Sequence, residues 1–220
     1  MPGARLFVLI VSLVLLAGCP GSEPASAIVR FRVQPVGATT VLLWDAERGL
    51  EVRENAAETV LLEAPRERLV APRIVVAAAD GSETTSGKLA ISAVTTLVDV
   101  GRLRVWPARV GFQREGEKLR FSWSALEGPD VPDPLRYSLI FVYKNAQGQD
   151  SEGTLIRKGE HEAVLSLSEL SEIFPERDPK AKLMTIRIRA YGSSPGEGTI
   201  WAGPKQDWVV PDDLPLSREK

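Results

Sequence analysis

The chain predicts an all-β protein made of two tandem small β-sandwich domains, and three observations lead there. Short β-branched and aliphatic runs recur at a spacing of about ten residues, as in sandwiches and barrels. Turn formers stand between them, at 45–49, at Ala64-Pro65 and at Asp80-Gly81. No clear amphipathic helix interrupts the runs of the first half.

The pattern begins at Ala27. Residues 28–33 alternate strictly, with Val29, Phe31 and Val33 on one face. Further strands are expected at 39–44, 59–62, 73–78, 88–92 and 97–106, with Gly101 a bulge or bend in the last. These give a first domain over 27–106. A second, over 107–211, follows Trp106-Pro107. Residues 119–123 place Leu119, Phe121 and Trp123 on one face, then come a run at 137–143 and a turn at 145–148. Runs at 163–167 and 184–191 follow, and 198–201 reads as the final strand. Ser166-x-x-Glu169 has capping-box form and predicts a short helix starting near Ser166 or Ser168. Residues 212–220 are charged and read as a flexible tail.

The apolar-x-apolar-x-Trp run ending at Trp123, the Tyr137-x-Leu139-x-Phe141 run, the Leu-rich run at 163–167 and the strand reaching Ala190 resemble a fibronectin type III domain over about 108–211. Met184 stands where that family places its corner tyrosine, and residues 171–182 lengthen the same corner. In the first domain, Val98-Asp99-Val100-Gly101-Arg102-Leu103 is similar to prealbumin-like modules of carboxypeptidase-regulatory type. That likeness carries no function across.

The amino-terminal segment has its own signature. Arg5 precedes an apolar run at 6–16, too short to span a bilayer and laid out like a secretory signal over 1–18. Leu16-Ala17-Gly18-Cys19 follows, and Cys19 is the only cysteine of the chain. This ending resembles the lipobox of bacterial lipoproteins. The resemblance implies cleavage before Cys19 and acylation of its sulfur and amine, with each buried CH₂ worth about 0.8 kcal/mol of membrane affinity. Pro20, rather than aspartate, after the cysteine implies the outer membrane. Residues 19–26 are small and polar and form the tether.

Composition narrows the function classes. Removing 1–18 takes away Arg5 alone, leaving 26 of 27 basic residues against 29 acidic ones. A net charge near −3 disfavours nucleic acid as a partner. No cysteine remains for a disulfide, so each domain must rely on its own apolar core. Catalysis lacks its usual parts: His161 is the only histidine and sits between Glu160 and Glu162 ahead of a strand. Glu127, Asp130, Asp133 and the pair Asp212-Asp213 lack regular calcium-loop spacing and read as solvated loops. No catalytic residue, metal site or cofactor is therefore expected.

Two surfaces are candidates for binding. Of five tryptophans, Trp123 belongs in the core, and Trp44 and Trp106 in or beneath the first domain. Trp201 and Trp208, at the end of the second, are expected to pack in the core or between the domains, and are otherwise candidate stacking platforms for a ligand. With Tyr137, Leu139 and Phe141 inward, Ile140 and Val142 face outward. With Ile186 and Ile188 inward, so do Arg187 and Arg189. These four form an apolar-basic patch facing a protein partner or the first domain. The expectation is a membrane-anchored lipoprotein of the cell envelope, acting as a non-catalytic binding, scaffold or adhesion module. The alternative is a surface lipoprotein that binds carbohydrate or another ligand.

Overall fold

A computed structural model of the chain describes residues 28–128, 131, 135–174, 177–192 and 198–215. The expected signal segment, Leu16, Ala17, Gly18, Cys19 and the expected tether lie outside the described residues, as do Asp130, Asp133 and residues 216–220.

The first half holds seven strands: β1 (Ile28–Val36), β2 (Thr40–Asp45), β3 (Leu50–Asn55), β4 (Val60–Pro65), β5 (Arg73–Ala77), β6 (Glu83–Thr85) and β7 (Leu97–Arg104). β1 is the middle of one sheet, antiparallel to β4 and parallel to β7. The other sheet runs β6-β5-β2-β3. Strict alternation decides what lies between them: Val29, Phe31 and Val33 from β1 meet Val41, Leu43, Ile74 and Val76 in one aliphatic core. Gly101, at φ 75°, takes up the bulge where the β1–β7 register shifts.

Residues 88–92 are not a strand, contrary to expectation. Their backbone forms no ladder, and Leu89 and Ile91 instead pack from a loop against the first core. β3 and β6 were not foreseen, because each is short and rich in polar residues.

The second half contains β8 (Gly111–Glu115), β9 (Lys118–Ser122), β10 (Arg136–Lys144), β11 (Asp150–Lys158), β12 (Glu162–Ser166), helix α1 (Leu167–Glu172), β13 (Leu183–Tyr191), β14 (Ile200–Ala202) and β15 (Gln206–Val209). β12-β9-β8 form one layer. β11-β10-β13 form the other, with β14 and β15 pairing successive stretches of β13. The core between them is aromatic, with Phe121, Phe141, Phe174 and Trp208 packed ring against ring. α1 starts where the capping box indicates: Ser166 Oγ accepts from the Glu169 N–H while Glu169 accepts from the Ser166 N–H.

Three expectations fail here. β14 is not the last strand, since the chain pairs again with β13 as β15 after a break at Gly203. At that break the backbone passes so close to Ala108 that only glycine fits, since a Cβ at Gly203 would collide with the Ala108 carbonyl oxygen. The first residues of the expected tail are packed, because Leu214 enters the core and Asp213 pairs with Arg114. Trp106 belongs to the second core, and Trp44 is exposed on the sheet surface.

The two halves are joined through backbone. β6 pairs antiparallel with β14, so the order β11-β10-β13-β14-β6-β5-β2-β3 makes one continuous sheet beneath two separate cores.

Candidate functional site

The β6–β14 splice fixes what the junction presents. Directly opposed residues share a face, so Thr84 opposite Trp201 continues an inner row from Val76 to Ala190. Thr84 is buried, and its hydroxyl donates to the Arg104 carbonyl at 2.7 Å. This ties β7 to the shared sheet. Between β7, the loop after Trp123 and β14 lies a cleft of about 140 Å³, lined by Arg102, Arg104, Gly128, Val131, Thr199 and Trp201.

The cleft is cationic. Arg104 reaches across the junction to donate to the Glu127 carbonyl. Gly128 lets it pass: its φ is +147°, and a Cβ there would stand 3.0 Å from Arg104 Nη2. The Arg102 side chain is exposed and has no hydrogen bond or ion pair to another side chain or carbonyl among the described residues. Neither arginine stands out as a site residue in the sequence, where Arg102 figures only in the run 98–103 and Arg104 in the strand expected over 97–106. Trp201 is buried and offers the cleft part of its surface rather than a stacking platform.

The outer face of the same sheet carries the expected patch, rearranged. Ile140 opposes Arg187, Ser138 opposes Arg189 and Val142 opposes Thr185, so all four patch residues do share this face. Two of them are not presented, however: Ile140 is 3% and Arg187 6% exposed. Arg187 Nη2 turns to Glu83 Oε1 at 3.2 Å and the Gly203 carbonyl at 3.1 Å. Burial holds its guanidinium below its ordinary pKa, partly opposed by the Glu83 charge. A desolvated cation takes the carboxylate within reach, and here that carboxylate belongs to the first half. The side chain therefore serves the junction. Val142 and Arg189 remain half-buried.

The other sequence candidates fall apart from one another. Trp208 is 1% exposed, within ring contact of Phe121, Phe141 and Phe174, so it cannot stack on a ligand. Trp44, expected inside, is 40% exposed on β2 between Glu51 and Arg73 of the flanking strands. His161 is exposed, its ring edge-on to Tyr137 at 5.3 Å. Burial pushes the Tyr137 phenol up, and its oxygen accepts from the Leu126 N–H. Asp212 pairs with Lys182. Gly192-Ser193-Ser194-Pro195-Gly196 spells Gly-x-Ser-x-Gly, and residues 193–196 of it lie outside the described residues. Among the described residues, no three His, Cys, Asp or Glu side chains gather as a metal site. No helix among them is long and apolar enough to cross a membrane.

No family model matches the chain, and no curated protein matches it. Among solved structures it is similar to a DUF3823 family protein from Bacteroides ovatus, at 9% identity and TM-score 0.34, covering 82% of this chain and 98% of that one. A DUF3823 family protein from Parabacteroides merdae gives 13% identity and TM-score 0.31, with the same coverage. A candidate carbohydrate-binding protein from Bacteroides uniformis gives 8% identity and TM-score 0.30, covering 83% of this chain and 99% of that one. At these values the likenesses carry no inference about ligand or partner. The functional reading rests on the chain's own geometry.

Proposed function

We propose that this protein is a lipid-anchored component of the bacterial outer membrane whose two spliced sandwiches form a non-catalytic module for binding an envelope protein. One observation carries the reading: β6 and β14 join the halves into one sheet, so the cleft of Arg102, Arg104 and Trp201 has walls from both halves. A volume of about 140 Å³ is well below the roughly 300–1,000 Å³ of small-molecule sites. One side chain fills it. Two guanidinium groups beside an indole and a threonine favour an acidic side chain presented by a partner.

The rest of the reading is consistent with that geometry. Acyl chains on Cys19 would hold the protein in the membrane, and residues 19–26 would extend at most roughly 3.3–3.6 Å each, keeping the first half close to the lipid surface. The three-strand layer of the second half facing the layer of β10, β11, β13, β14 and β15, with Trp123 entering the core just after β9, supports a fibronectin type III-like sandwich.

Crosslinking from the surface around Arg102 in intact cells tests the binding reading. Arg102→Glu should lose the captured neighbour while leaving the melting temperature unchanged. The same neighbour captured at the same yield by the variant would overturn it. Cys19→Ala should release the protein from the membrane fraction; retention there would refute the anchor.

Trp44 favours a second reading, carbohydrate binding. An exposed indole flanked in register by Glu51 and Arg73 offers a sugar both a stacking face and hydrogen-bonding groups. Oligosaccharide that changes tryptophan fluorescence in the wild type but not in Trp44→Ala would support it, and no change in either would dismiss it.

A further inference from the structure

The far end of the shared sheet is less guarded than its other edges. β11 closes the sheet at the second half and, among the described residues, pairs only with β10. It is nine residues long, has no proline, and keeps an unbroken register with its neighbour. The other edges carry the usual protections. β3 is short and charged, β4 ends in Pro65, and β7 is bulged at Gly101. β8 and β12 span only five residues each. Beside β11 runs an open groove of about 600 Å³, flanked by Ile156, 55% exposed, and by Val164.

Two hydrogen bonds at the ends of the β10–β11 hairpin set which backbone groups are free. Asn145 N–H donates to the Gln149 carbonyl, and Gly159 N–H donates to the Leu135 carbonyl. Antiparallel pairs alternate between bonded and non-bonded. Ser151, Gly153, Leu155 and Arg157 therefore bond to β10, while Asp150, Glu152, Thr154, Ile156 and Lys158 point their N–H and C=O groups away from it.

Those five residues are complementary to themselves. About a two-fold axis at Thr154, Asp150 meets Lys158 of a second copy, Glu152 meets Ile156, and Thr154 meets Thr154. This register engages every outward group of β11, each pair exchanging two hydrogen bonds. It also sets the acidic start of the strand against its basic end. Asp150 already holds Lys144 at 2.7 Å, and a carboxylate has acceptor capacity for both cations. We propose that β11 is a homodimerisation edge, joining two copies antiparallel about Thr154 so that their long sheets become one.

Sedimentation velocity of the full chain in mild detergent tests this across micromolar concentrations. Wild type should move from monomer to dimer. Thr154→Pro removes an outward N–H without touching the β10 ladder, and proline is tolerated at such an edge. It should keep the wild-type melting temperature and weaken dimerisation roughly thirtyfold, since both symmetry-related N–H groups are lost. Asp150→Lys should also weaken the dimer, and adding Lys158→Asp should restore it, because the swapped pair is again complementary. That rescue is independent of any folding effect of the proline. A wild type that stays monomeric throughout would overturn the proposal. So would a dimer indifferent to Thr154→Pro, or one that the charge swap does not restore.

Discussion

The two halves solve one problem with different materials. The first is aliphatic: among the described residues Phe31 is the one aromatic side chain of its core, set among valines, leucines, Ala64 and Ile74. The second is aromatic, with rings of Phe121, Phe141, Phe174 and Trp208 in mutual contact. Their loops differ as well. The first half anchors a loop on a charge: Asp45 accepts from Glu47, Val70 and Ala71 N–H groups at 3.1, 2.7 and 2.8 Å. The second uses a reciprocal cap on α1 and large side chains. Aliphatic sandwiches of this size gain less from ring packing, so a buried carboxylate that gathers loop amides contributes proportionally more.

Truncating each core is the strongest way to break this comparison. Phe141→Ala should cost about 3–5 kcal/mol and Leu43→Ala about 2–5 kcal/mol, each through a cavity in its own half. Since β6 and β14 share a ladder, either substitution should lower one coincident transition, seen alike by tryptophan fluorescence and far-ultraviolet circular dichroism. Two separated transitions would show the halves to be independent.

A smaller effect sharpens the contrast in loops. Burial alone would raise the Asp45 carboxyl, but N–H groups of Val70, Ala71, Arg48 and Glu47 outweigh it and hold the pKa below the usual range. A group depressed in the folded state contributes stability above its unfolded pKa, near 3.9, and loses it as pH falls through the lower folded value. Asp45→Asn should therefore cost about 2 kcal/mol at neutral pH. Its deficit should shrink steadily once the pH drops below about 3.9. A deficit that does not change with pH would refute the charge-based account.

The smallest effect lies between the halves. Removing one partner of a buried ion pair costs about 3–5 kcal/mol when the other is left dry. Glu83 is partly exposed and can rehydrate, so Arg187→Ala should cost only about 1–2 kcal/mol. Urea unfolding would measure it. A full-sized loss would mean that Glu83 stays desolvated in the variant.

Much of the fold was legible because side chains alternated visibly. Val29, Phe31 and Val33 announced β1, and Tyr137, Leu139 and Phe141 announced β10. Ser166 and Glu169 announced α1 through a chemistry that needs only two residues. The splice was not legible. Glu83-Thr84-Thr85 has no apolar pattern, and its place is decided by Ile200–Ala202, more than a hundred residues later. Strand β11 was hidden in the same way, since an edge strand buries only one row and offers Gly153 and Ser151 to it. The site fared worst: Arg102 and Arg104 become a pair of interest only once the second half folds against β7. Packing and stacking both stayed open for Trp208, because its position along the strand says nothing of the facing layer, which is full of rings.

The position of β1 has a mechanical consequence. It enters at Ile28 with β4 on one side and β7 on the other, so tension applied from its amino end loads two ladders in shear at once instead of peeling one bond after another. Pulled from that end, the first half should hold as a load-bearing joint, and rupture should begin elsewhere along the chain.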